Sequence, residues 1–140
     1  LSKNNRICAT YDKNLSLTSQ SFYNLKIEKS PVPEFNNFYL LGILNSTLLS
    51  YYFIKSFGSY KKLFPRILIE SIQNLPILIP CSENERNIAK KIIETVKLIL
   101  KNIDELKCLD KKIDSLVFDL YQISDTNQKH ILNYMETLNN

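Results

Sequence analysis

The residues best suited to chemistry lie in one segment, Lys55-Ser56-Phe57-Gly58-Ser59-Tyr60-Lys61-Lys62-Leu63-Phe64-Pro65-Arg66. Lys and Arg neutralise phosphates, Ser and Tyr hydrogen-bond them, and Arg can fork onto guanine in the major groove. Lys55, Ser59, Tyr60, Lys61, Lys62 and Arg66 are therefore candidate nucleic-acid contacts. The alternative is a solvated loop with Leu63 and Phe64 tucked into the core. Charge along the chain bears on the choice. Residues 1–80 carry 9 Lys and Arg against 4 Asp and Glu, a net +5, whereas residues 81–140 carry 9 against 10, a net −1. Lys3, Arg6 and Lys13 add cations at the other end of the basic part. Such an excess suggests a polyanionic partner.

Other chemistries find little support. The single His130 and the scattered Cys8, Cys81 and Cys108 form no CxxC and no zinc-ligand spacing. Neither a metal site nor a catalytic residue is expected. The cysteines read as free thiols, most of them buried, in a reducing, cytoplasmic compartment. His130, beside Ile131 and Leu132, reads as a helix-surface histidine. Ser59 has no visible base partner. With only 2 glycines, a glycine-rich phosphate loop is nearly impossible. Asp104, Glu105, Asp110, Asp114 and Asp119 alternate with Lys101, Lys107, Lys111 and Lys112, which reads as a solvated, salt-bridged helix face.

These residues need elements to position them. At 44% hydrophobic and 23% charged, the 140 residues have the composition of a folded protein with a modest core. The start at Leu1, without Met, reads as a piece of something longer. Residues 6–11, 21–27, 67–69 and 75–80 read as short strands, the last with Pro76 at an edge or strand start. The proline-containing stretch 28–34 reads as a loop. Phe35 to Ile54 has no charge and is long enough to span a bilayer. Asn36, Asn37, Asn45, Ser46, Thr47 and Ser50 are too polar for an isolated span, so no membrane is expected. Instead the spacing predicts one buried helix over 37–56, capped by Asn36 or Asn37 and ended near Gly58. Gly42, Ser46 and Ser50 give it a small face that permits close packing.

After Pro80 the chain holds no Pro or Gly. Ser82 and Glu85 form a capping box. Ile88, Ile92, Val96, Ile99, Ile103, Leu106, Leu109, Ile113, Leu116 and Leu120 recur every three to four residues. The mean lies between the coiled-coil and straight-helix periods. One helix over 84–121 would be about 57 Å long at ~1.5 Å per residue, with its weak point at Lys107 to Asp110, where Asp110 suits a cap. A last helix, 126–138, presents Ile131, Leu132, Met135 and Leu138 behind a Ser124-Asp125 cap. The expected fold is thus mixed α/β. A small sheet with a buried helix fills residues 1–80, and a helical spacer or docking tail fills 81–140. The apolar stripe is longer than a small front half is expected to cover, so packing on another domain or a second copy is expected.

Three segments carry a resemblance. Leu40 to Phe53 is similar to the "LLaiLNSkLlxyyf" helix of target-recognition domains. Phe64-Pro65-Arg66-Ile67 followed by Leu75-Pro76-Ile77 resembles their "yxR…LPI" segment. Ile113 to Ile123 resembles the "IDxLVyxLYxL" helix that closes them. The family is the TaqI-like C-terminal specificity domain, found in adenine-specific DNA methyltransferases and in fused type IIG restriction–modification enzymes. The resemblance implies a module that reads a short duplex DNA sequence while a separate domain flips and methylates an adenine. That methyltransferase domain, with its Asn-Pro-Pro-Tyr motif and its S-adenosylmethionine, is the implied partner. This chain would neither bind the cofactor nor catalyse alone. The competing reading is a protein-interaction module whose near-heptad tail forms a coiled coil and touches no nucleic acid.

Overall fold

In the computed structural model, residues 5–13, 23–57, 68–101 and 106–138 are described. Their regular structure is helical: α1 (Asn37–Leu44), α2 (Thr47–Phe57), α3 (Ile69–Gln73), α4 (Glu83–Lys101), α5 (Leu106–Leu120) and α6 (Asp125–Thr137). Among the described residues there is no strand, so the expected mixed α/β sheet is corrected to an all-helical arrangement.

The physical reason lies in the hydrogen-bond partners. The backbone groups of a short apolar run must find hydrogen-bond partners, but those partners need not be another strand. Residues 6–12 have no regular structure and are hydrogen-bonded to Asn45, between α1 and α2, and to Ser50 of α2. There the Asn45 side chain takes a strand's place: its Oδ1 accepts from the Ala9 N–H (2.9 Å) and its Nδ2 donates to the Ala9 carbonyl (3.0 Å). The Ile7 N–H donates to Ser50 Oγ (3.1 Å). In the stretch 76–80, which has no regular structure, Tyr121 Oη donates to the Pro76 carbonyl (2.7 Å) and accepts from the Leu78 N–H (3.1 Å). Tyr39 Oη donates to the Leu78 carbonyl (2.8 Å). Residues 23–27 are irregular, and Leu68 is the extended cap of α3 rather than part of a strand.

The single helix expected over 37–56 is two. Its start is as read: Asn36 Oδ1 accepts from the N–H groups of Phe38 and Tyr39. The break falls at Asn45-Ser46. Ser46 Oγ accepts from the Leu49 N–H (3.3 Å), as an N-cap of α2 does. Gly58 lies outside the described residues. The small face is buried, with Gly42 against α4: a Cβ there would lie 2.5 Å from Ile92 Cγ2.

The stretch 84–121 is likewise two helices. α4 opens with the expected capping box: Glu85 Oε2 accepts from the Ser82 N–H (2.9 Å), and the Glu85 N–H donates to Ser82 Oγ (3.2 Å). Asp110 lies inside α5 instead of capping it. α4 and α5 pack on each other, and α4 also packs on α1. Ile92, Val96, Ile113 and Leu120 from the stripe join Tyr39, Ile43, Leu49 and Phe53 in one core, which draws on both sides of residue 80. The stripe is thus largely covered within the chain. α6 begins at the Ser124 cap and buries Ile131 and Met135, while Leu132 and Leu138 stay exposed. The three cysteines are unpaired, but all are exposed, which corrects the expectation of burial. His130 is exposed on α6, as expected. Among the described residues, no helix is long and apolar enough to cross a membrane.

Candidate nucleic-acid interface

The candidate contacts divide by place. Ser59, Tyr60, Lys61, Lys62, Arg66 and Lys3 lie outside the described residues. The two points where the chain leaves and rejoins the helices around 58–67 are described: Phe57, the last residue of α2, and Leu68, the cap of α3. Lys55 is exposed in the last turn of α2. Its Nζ lies over the Tyr134 ring of α6, 3.7 Å from the centroid, and 5.8 Å from that of Tyr51. Lys13 is exposed in the amino-terminal segment.

Arg6 is held internally. Its Nη1 donates to Asp110 Oδ2 (3.1 Å), its Nη2 donates to the Asn45 carbonyl, and Nη2 lies 3.8 Å from Asp114 Oδ1. These contacts fix Arg6 at the start of α2. Lys55, eight residues beyond Thr47, lies about 12 Å along the helix at ~1.5 Å per residue. The structure therefore places Arg6 and Lys55 at opposite ends of α2.

Residue patterning missed the group that organises this junction. Asp114 reads as one acid on a solvated face, yet its side chain is only 14% exposed. Its Oδ1 accepts from the Thr47 N–H (2.7 Å) and its Oδ2 accepts from the Thr47 hydroxyl (2.6 Å). A carboxylate from α5 thus meets a donor at the first turn of α2, where a helix leaves its N–H groups unpaired. Burial raises the Asp114 pKa, and this outweighs the opposing effects of Thr47 and Arg6. The signal available in the sequence was the Asn45-Ser46-Thr47 run, whose side chains favour caps over helix interiors.

The second junction is built on tyrosines. Tyr121, just past α5, and Tyr39, in α1, hold the 76–80 stretch through hydroxyls whose pKa values are both raised, chiefly by burial. Each phenol therefore stays protonated and able to donate. Together the two junctions join the segments that carried the resemblance. Asn45, Ser46 and Thr47 meet Asp114, and Leu75-Pro76-Ile77 leads into the stretch held by Tyr121. This frame fixes the start of α2 and the stretch that follows α3. Among the described residues, no group of three His, Cys, Asp or Glu side chains is placed to hold a metal ion.

Comparison with known proteins identifies the family. The family model of the TaqI-like C-terminal specificity domain matches residues 2–77. A Methanocaldococcus jannaschii protein named "Putative type II restriction enzyme and methyltransferase" is 34% identical over 127 residues. That match covers 86% of this chain and 10% of the relative, so the chain spans about a tenth of the relative's length. No solved structure matches the chain at a significant level.

Proposed function

The chain belongs to the TaqI-like C-terminal specificity domain family, and we propose that it reads a short duplex DNA sequence on behalf of a larger enzyme. In this reading the chain sets the position of an adenine methyltransferase domain on the site. That other domain holds S-adenosylmethionine and performs the chemistry, and no residue of this chain is assigned to the cofactor.

The observation that carries the proposal is the family match over residues 2–77, which spans every proposed contact. The proposed division of labour rests on side-chain chemistry. Lys55, Lys61 and Lys62 neutralise phosphates, Ser59 and Tyr60 hydrogen-bond them, and Arg66 either reads a base edge or pins the segment to the start of α3. Lys3 and Lys13 add cations from the amino-terminal segment. Arg6 holds that segment in place, because its donors face Asp110 and Asn45. The alternative of a coiled-coil interaction module loses its main motive, since the stripe of α4 and α5 packs into the chain's own core.

The test uses the complete protein that carries this chain. Affinity for cognate and random duplex is measured at two salt concentrations for wild type, Lys61→Ala, Lys62→Ala and Arg66→Ala. Loss of a phosphate contact weakens binding to both duplexes and lowers the salt slope by about one. Loss of a base contact costs about 1–3 kcal/mol on the cognate duplex. If none of the three alters affinity, slope or discrimination, the DNA surface is not this segment.

A further inference from the structure

Lys55 has an unusual setting for an exposed lysine. Among the described residues no carboxylate forms an ion pair with it. Its ammonium instead lies over the face of Tyr134, 3.7 Å from the ring centroid. Tyr51, one turn before Lys55 on α2, backs this ring edge-to-face at 5.4 Å. α6 is itself anchored by the buried Ile131 and Met135, which fixes where Tyr134 stands.

We propose that Tyr134 is a positioning residue for DNA contact, holding the Lys55 ammonium ready for a backbone phosphate at the end of α2. The inference rests on the reading of the chain as a DNA-recognition module. A lysine free in solvent must give up rotamer freedom when it meets a phosphate. A ring face attracts the ammonium through its quadrupole and restricts it beforehand. The ammonium carries three donors and the ring covers one side, so the others remain open to phosphate oxygens. Tyr134 lies 79 residues along the chain from Lys55, in the half whose net charge is −1. The acidic half would thus contribute to DNA contact without lending a charge.

A purely structural role, tying α6 to α2, makes a different forecast, and a double-mutant cycle separates the two. The complete protein is measured on a random duplex at two salt concentrations as wild type, Lys55→Ala, Tyr134→Leu, Tyr134→Phe and the Lys55→Ala/Tyr134→Leu double variant. Lys55→Ala is expected to weaken binding and to lower the salt slope by about one. Tyr134→Leu is expected to weaken binding roughly two- to fivefold, and to add nothing once Lys55 is gone. Tyr134→Phe keeps the ring and binds as wild type, so it controls for folding. The inference is overturned if Tyr134→Leu is harmless, if it weakens binding equally in both backgrounds, or if Tyr134→Phe is equally damaging. If wild type shows no salt-dependent duplex binding, the recognition reading itself fails and takes this inference with it.

Discussion

Asp114 on α5 accepts both the backbone N–H and the hydroxyl of Thr47, at 2.7 and 2.6 Å, and so caps a helix that begins 67 residues earlier in the chain. This pairing joins the carboxy-terminal helices to the break between α1 and α2. Asp114→Ala leaves two Thr47 donors unpaired in a largely buried place and is expected to destabilise the fold by about 1–3 kcal/mol. Asp114→Asn keeps an acceptor and is expected to cost less. Urea unfolding of the two variants checks the order, and equal stability of Asp114→Ala and wild type would exclude the cap.

Gly42 allows α1 to approach α4. A Cβ at this position would lie 2.5 Å from Ile92 Cγ2 and 3.2 Å from Val96 Cγ2. Gly42→Leu is therefore expected to destabilise by about 1–3 kcal/mol through overpacking. Gly42→Ala should cost less, because better helix propensity offsets part of the clash. In an Ile92→Ala background the clash with Ile92 is removed, and Gly42→Ala is expected to become neutral or stabilising. Thermal melts of the four combinations give the sign directly.

Tyr121→Phe removes one hydroxyl and with it two hydrogen bonds to the 76–80 stretch. The expected loss is about 1–3 kcal/mol, since the Leu78 N–H and Pro76 carbonyl lose their partner. Amide exchange at Leu78 is the local readout. Protection there should fall in Tyr121→Phe more than at the α4 core positions Ile92 and Val96.

Two carboxylates give opposite pH behaviour. Backbone N–H groups of Ser82 and Cys81 lower the Glu85 pKa from its ordinary 4.5. Its contribution to stability is therefore present above pH 4.5 and is lost as pH falls through the lower folded-state value. Asp114 is raised above its ordinary 3.8, chiefly by burial. Its titration favours the fold below pH 3.8, and that advantage is lost as pH rises through the folded-state value. Relative to wild type, Glu85→Gln should therefore lose stability that depends on pH below 4.5, and Asp114→Asn should remove a contribution of the opposite sign. Urea midpoints between pH 2.5 and 6 test both.

What was legible in the sequence was local. Asn36, Ser82 with Glu85, and Ser124 cap helices where their spacing put them, and Gly42, Ser46 and Ser50 line a buried face. What was not legible depends on contacts far apart in sequence. Residues 6–11 and 75–80 read as strands, but they form none, and their partners are Asn45, Ser50, Tyr39 and Tyr121, which lie 36 to 45 residues away. No local pattern reports that side chains replace a neighbouring strand. Asp114 was hidden for the same reason, since in sequence it is one more acid in a run interleaved with lysines, and its partner Thr47 lies 67 residues away. Of the candidate site, Lys55 was legible as a cation, but its aromatic support on α6 was not.

Whether this chain reads DNA sequence is tested most directly by selection from a randomised duplex pool. The complete protein is used to recover bound duplexes, as wild type and with Lys61→Ala, Lys62→Ala or Arg66→Ala. Wild type is expected to enrich one short motif, and substitution of a base-reading residue in 55–66 to relax the preference at a single position of it. Phosphate-contacting substitutions should lower recovery and leave the motif unchanged. Failure of wild type to enrich any motif, or equal recovery of one unchanged motif by all four proteins, would contradict sequence reading by this segment.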